Sequence, residues 1–133
     1  MKAPTVRRER GDLGERAAAR YLRCRFYRIL DRNWFFYRKE SDIIAKRGDT
    51  LVICEVKART RAEDSPSPYG SPSLAVDAQK QHNLSVAGRA YAKRLGWQGN
   101  IRMDVIEVYL DPPKKNGRST VRRIVHIKNA FYP

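Results

Sequence analysis

Helical stripes and strand-like alternation divide the chain into a clear run of elements. Residues 10–26 read as a helix rich in Ala and Arg. Asp12, Arg16, Arg20 and Arg23 make its polar face, and Ala17, Ala18, Tyr21 and Leu22 a wide apolar arc. Three strand-like runs follow: Tyr27–Phe36, aromatic and branched; Ser41–Lys46, around Ile43-Ile44-Ala45; and Thr50–Lys57, around Leu51-Val52-Ile53-Cys54. Gly48-Asp49 between the last two suggests a hairpin turn. Residues 58–73 carry Ser65-Pro66-Ser67-Pro68-Tyr69-Gly70-Ser71-Pro72 and read as a mobile loop. A second helix is predicted over residues 74–95, with the stripe Leu84, Ala87, Tyr91, Leu95 and a stop at Gly96. Ile101–Leu110 and Thr120–Lys128 are the last strands, separated by a turn over Asp111–Gly117, and residues 1–8 read as a basic, poorly ordered tail. The order α-β-β-β-α-β-β implies an α/β protein with a central mixed β-sheet flanked by helices. A chain of 133 residues without repeat or linker is expected to be one domain.

Charge adds a partner class. Twenty-eight Lys and Arg against 14 Asp and Glu leave a formal net charge of +14. Such an excess favours a polyanion, nucleic acid before membrane, over the plainer reading of a solvated basic surface. No stretch has the apolar length of a membrane span, and residues 1–10 lack the apolar segment of a signal peptide, so a cytoplasmic location is expected. Cys24 and Cys54 make no disulfide framework, and Cys54 reads as a buried small hydrophobe. With two cysteines and two scattered histidines, His82 and His126, a structural zinc site is not expected.

The chemistry concentrates in Glu40-Ser41-Asp42-Ile43-Ile44-Ala45 and Glu55-Val56-Lys57. On a strand alternate residues share a face, so Glu55 and Lys57 project together while Val52, Cys54 and Val56 point to an apolar core. A carboxylate and an ammonium at the end of a buried strand are costly unless paired or used. A hairpin through Gly48-Asp49 can bring Asp42 beside Glu55. Two carboxylates and a lysine at one point suit phosphodiester hydrolysis, because hard oxygen ligands hold Mg²⁺ or Mn²⁺ with room for water and phosphate. The alternative is a salt-bridged hairpin with Glu55 and Lys57 at a solvated edge.

Other residues have two readings each. Glu15 lies toward the edge of the first helix's apolar arc, facing a metal or partner, or is a helix-start acid favoured by the macrodipole. Lys80 contacts phosphate at the mouth of the site, or snorkels from the end of its stripe. Glu40 shares a strand face with Asp42 and can join it as a ligand. Asp104, inside an apolar run, reads first as a structural partner of Arg102 or of a neighbouring strand, and second as a metal ligand. His82 and His126 read as surface or sheet residues, and Trp34 and Trp97 as packing residues rather than base-stacking platforms.

Taken together these blocks resemble the YraN-like family (uncharacterised protein family 0102). Gly14-Glu15-Arg16-Ala17-Ala18 is similar to its Gly-Glu-x-x-Ala helix, and Ile29-Leu30-Asp31-Arg32-Asn33-Trp34 to its first strand. Glu40–Ala45 and Val52–Arg59 are similar to its Glu-Ile-Asp-Leu-Ile-Ala and Glu-Val-Lys-x-Arg blocks. Ala75-Val76 with Lys80, Asp104-Val105-Ile106 and His126–Phe131 match later blocks. The chain departs from the family at Lys39, where Gly is usual, and at Ser41, where Ile is common. The resemblance implies the restriction-endonuclease-like PD-(D/E)xK fold shared with archaeal Holliday-junction resolvases, with Glu15, Asp42, Glu55 and Lys57 in the catalytic positions. The function expected is a Mg²⁺- or Mn²⁺-dependent nuclease acting on DNA, including branched DNA. Asp42, Glu55 and Glu15 would hold the metal, Lys57 would assist the attacking water, and Arg59, Arg61 and Lys80 would contact phosphates. A homodimer is plausible by analogy with the resolvases. The rivals are a non-catalytic nucleic-acid-binding module and an accessory protein of a repair or recombination complex.

Overall fold

A computed structural model describes residues 6–60 and 77–132, with side chains from residue 11 onward. The elements are α1 (Val6–Cys24), β1 (Arg28–Phe36), β2 (Lys39–Arg47), β3 (Thr50–Thr60), α2 (Ala78–Leu95), β4 (Asn100–Leu110) and β5 (Val121–Phe131). They form one five-stranded sheet in the order β1-β2-β3-β4-β5. All neighbours are antiparallel except β3 and β4, which run parallel and are connected through α2. The architecture is the mixed α/β arrangement, order α-β-β-β-α-β-β, that the sequence predicts.

Several boundaries differ from expectation. Helix α1 begins at Val6, inside the segment read as a tail, and ends at Cys24, because Phe26 at φ 68° leaves the helical region. Strand β3 continues through Ala58–Thr60, which were expected in the loop, because β4 pairs with it as far as Thr60↔Leu110. Strand β5 reaches Phe131 across an irregularity that holds Asn129 at φ 56°. The remainder of the 58–73 loop, including Arg61, the first five residues and residues 74–76 lie outside the described residues.

Both faces of β3 are buried, not only the face of Val52, Cys54 and Val56. Val52 and Cys54 pack under α1 with Ala18, Ala19, Leu22, Ile43 and Ile106. Leu51 and Ile53 pack under α2 with Ile44, Tyr91, Ala92 and Met103. A strand covered on both sides reads as a continuous apolar run, as Leu51–Cys54 does. Fully burying a Leu or Ile side chain contributes about 1.5–3 kcal/mol, so Leu22, Ile43, Ile44, Leu51 and Ile53 anchor the sheet between its helices.

Two glycines let the helices approach closely. A Cβ on Gly14 would stand 2.9 Å from Ala58 Cβ, and one on Gly88 would stand 2.8 Å from Ile53 Cγ1. Helix α2 is capped by Asp77, whose carboxylate accepts from Lys80 N at 2.7 Å, and closes at Gly96 in the left-handed region. Its first turn holds no acid but does hold Lys80, against the helix macrodipole. Among the described residues no helix is long and apolar enough to cross a membrane.

Candidate active site

Strands β2 and β3 pair from Arg47↔Thr50 to Ile43↔Cys54. One residue further, Val56 N donates to Asp42 Oδ2 at 2.8 Å. The Asp42 carboxylate thus takes a main-chain donor of β3, which fixes it where the two strands part. Glu55, next along β3 from Cys54, is brought beside it.

The Glu55 side chain is only 4% exposed. Its Oε1 lies 3.4 Å from Lys80 Nζ and 3.7 Å from Lys57 Nζ. Its Oε2 is buried and has no hydrogen-bond partner among the described residues. Burial first, and the neighbouring Asp42 second, push the Glu55 carboxyl up to about 8, against the pull of Lys80 and Lys57. Burial would lower the Lys80 ammonium, but Glu55 and Asp42 outweigh it and hold the pKa above its usual value. Glu55 therefore offsets the unfavourable place of Lys80 in the first turn of α2.

A second acidic group adjoins the first. Carboxylate oxygens of Glu15 on α1 and of Glu40 and Asp42 on β2 all lie within 4.8 Å of one another. With the Asn33 amide turned so that its NH₂ faces these acids, it donates to Glu40 Oε1 at 3.0 Å and to Glu15 Oε1 at 3.1 Å. Arg32 Nη2 lies 3.7 Å from Glu15 Oε2. Burial and the Asp42 charge raise the carboxyl pKa values of both Glu15 and Glu40. Asp12, Glu15, Arg16, Arg32 and Asn33 line an adjoining cleft of about 510 Å³.

The structure therefore gathers Glu15, Asp42, Glu55, Lys57 and Lys80, in two linked sets. Glu15 clusters with Glu40 and Asp42, while Glu55 adjoins Asp42 and is paired with the two lysines. Arg59 lies further along β3, its Nε 2.7 Å from Glu107 Oε2, and Tyr109 OH donates to the same oxygen at 2.9 Å. Arg61 lies outside the described residues.

Asp104 is fully buried. Arg102 Nε and Nη2 each donate to it at 2.9 Å, Asn129 N donates at 2.9 Å, and His126 Nε2 lies 2.6 Å away. These bonds hold its carboxyl below the usual range although burial alone would raise it. His126, whose side chain is 3% exposed, is a core residue joining β5 to β4. Trp34 packs edge-on to Tyr91 at 5.1 Å.

Two site residues had no role in the sequence reading. Asn33 sits at φ 52° inside β1, and Asn in an apolar strand run is disfavoured unless it serves a local geometry. Glu107 is an acid within Val105-Ile106-Glu107-Val108 and is buried, by the same logic that singles out Asp104.

Residues 14–108 match the family model described as Uncharacterised protein family UPF0102. The chain belongs to this family. A UPF0102 protein of Caldanaerobacter subterraneus is 38% identical over 122 residues, which cover 91% of this chain and 93% of that protein. One of Geobacter sulfurreducens is 43% identical over 122 residues, covering 91% and 87%. One of Chlorobium chlorochromatii is 39% identical over 132 residues, covering 99% and 98%. The segment matched to UPF0102 opens at Gly14 and contains Glu15, Asn33, Glu40, Asp42, Glu55, Lys57 and Lys80.

Proposed function

We propose that this UPF0102 protein is a divalent-metal-dependent nuclease of the PD-(D/E)xK type that hydrolyses phosphodiester bonds in DNA. The observation that carries this reading is the gathering of Glu15, Glu40 and Asp42 into one carboxylate cluster where β2 and β3 part, with Glu55, Lys57 and Lys80 beside it.

The residues fit a hard cation. Four carboxylates gather within a strongly basic chain, and Glu55 Oε2 is a buried acceptor with no donor among the described residues. Buried acceptors of this kind call for an explanation, and a cation supplies one. Oxygen donors alone favour Mg²⁺ or Mn²⁺. Asp42 and Glu55 would hold the ion, with Glu15 and Glu40 completing the set. When bound, such an ion makes a water more acidic and offsets charge growing on the phosphate.

The chain's own groups carry the rest. Asn33, donating to Glu15 and Glu40, keeps both carboxylates oriented and limits their mutual repulsion. Lys57 and Lys80 offer N–H donors beside Glu55, able to hold a phosphate oxygen or orient the attacking water. Arg32 and Arg16, lining the cleft, and Arg59 further along β3 supply phosphate contacts.

The test is cleavage of labelled single-stranded, duplex, flap and four-way-junction DNA with Mg²⁺ or Mn²⁺, beside Asp42→Ala and Lys57→Ala. Metal-dependent cutting that both variants lose is expected. No cutting of any substrate, with DNA bound equally by wild type and variants, would instead identify a binding module that keeps the fold.

A further inference from the structure

Strands β1 and β2 are joined by a two-residue turn, Tyr37-Arg38, between the paired residues Phe36 and Lys39. Tyr37 has φ 57°, and the residue is 84% exposed. Left-handed backbone at the first central residue of a hairpin turn is a glycine preference, and an aromatic residue there is strained. The chain thus holds a large ring in water on a backbone that resists it. Such strain collects at functional positions.

The ring is not loose. Phe36 meets Tyr37 edge-on with centroids 4.7 Å apart, Trp34 stacks on Phe36 at 6.2 Å and 13°, and Tyr91 of α2 supports Trp34. Aromatic contacts therefore run from the core to the hairpin tip. Arg38 and Lys39 flank the tip, in a chain of net charge +14, and Glu40 begins the acidic cluster three residues on. Three residues of strand span about 10 Å. A braced, exposed π-face beside cations is the equipment for stacking a base while the backbone phosphates are neutralised. A paired duplex keeps its base faces covered and offers no such contact.

We infer that Tyr37 is a stacking site for an unpaired nucleobase, which selects single-stranded or branched nucleic acid and seats it beside the acidic cluster. This rests on the nucleic-acid reading above and goes beyond it in naming the substrate class and the residue that chooses it.

The experiment is fluorescence anisotropy in EDTA, which reads binding without cleavage. The probes are a labelled oligothymidylate, a fully paired duplex and a forked duplex with one 2-aminopurine in its unpaired arm. Tyr37→Ala is expected to weaken binding of the single strand and the fork at least fivefold, the low end for loss of one stacked base. Duplex binding should stay within about twofold, and Tyr37→Trp should retain single-strand affinity and quench 2-aminopurine. Tyr37→Gly should raise the thermal midpoint by relieving the turn while weakening single-strand binding as Tyr37→Ala does, which separates recognition from folding. Unchanged single-strand affinity in Tyr37→Ala and Tyr37→Gly, or an equal loss for strand and duplex, would overturn the inference while leaving the nuclease reading intact. A wild-type chain that binds none of the probes would overturn both.

Discussion

Replacing Glu55 with Gln should make the metal-free protein more stable, and increasingly so as pH rises. The Glu55 carboxyl is raised from an ordinary value of 4.5 to about 8 in the folded chain. A raised folded-state pKa means that the native protein binds the proton more tightly than the unfolded chain does. The associated stability is complete below about pH 4.5 and is lost as pH climbs through about 8. Each unit of difference is worth about 1.4 kcal/mol, which sets a ceiling of about 5 kcal/mol. Lys57 and Lys80 are partly exposed and can follow the charge, so a realised difference of about 2–4 kcal/mol is expected at pH 9. Gln keeps the shape of the protonated acid and never ionises. The assay is urea unfolding of both proteins in EDTA from pH 5 to pH 9. The difference between the two curves should widen to about pH 8 and then level. Adding Mg²⁺ at pH 9 should restore the wild type and leave Glu55→Gln unmoved. A difference that does not change with pH, or a variant less stable throughout, would refute the placement of Glu55 as a buried acid raised by its burial and by Asp42.

Gly14→Ala pushes a methyl group against Ala58 Cβ at 2.9 Å; it should cost about 1–3 kcal/mol in urea unfolding and weaken Mn²⁺ binding by displacing Glu15. Asp104→Asn removes the charge of the fully buried partner of the partly exposed Arg102 and should cost about 3–5 kcal/mol, seen as a lower thermal midpoint at neutral pH. On the proposed function, Arg59→Ala should weaken single-stranded and duplex DNA alike, lowering the slope of log affinity against log salt by about one, and should also lower the thermal midpoint because it leaves the buried Glu107 without its cation.

The element order was legible because β-branched and aromatic runs alternate with helical stripes, and Gly48-Asp49 dictates a hairpin. The same hairpin made the approach of Asp42 to Glu55 readable, since a tight turn leaves little choice of register. The extent of β3 was not legible, because Ala58–Thr60 are strand only through pairing with β4, a partner some fifty residues distant in sequence. Burial of both faces of β3 likewise depends on two helices meeting it from opposite sides.

Local pattern by itself determined which segments are helix or strand, where the hairpin lies and which acids stand near β3, since each follows from contacts between near neighbours. Tertiary structure decided the rest. It gathered Glu15 and Glu40 around Asp42, set Glu55 between Lys57 and Lys80, drew Asn33 onto Glu15 and Glu40, and added His126 and Asn129 to the Asp104–Arg102 pair that the sequence already suggested. It also braced Tyr37 through Phe36 and Trp34 onto Tyr91. The physical reason is common to all of these: the protonation and orientation of a polar group follow its burial and its through-space neighbours, and those come from elements that only packing brings together.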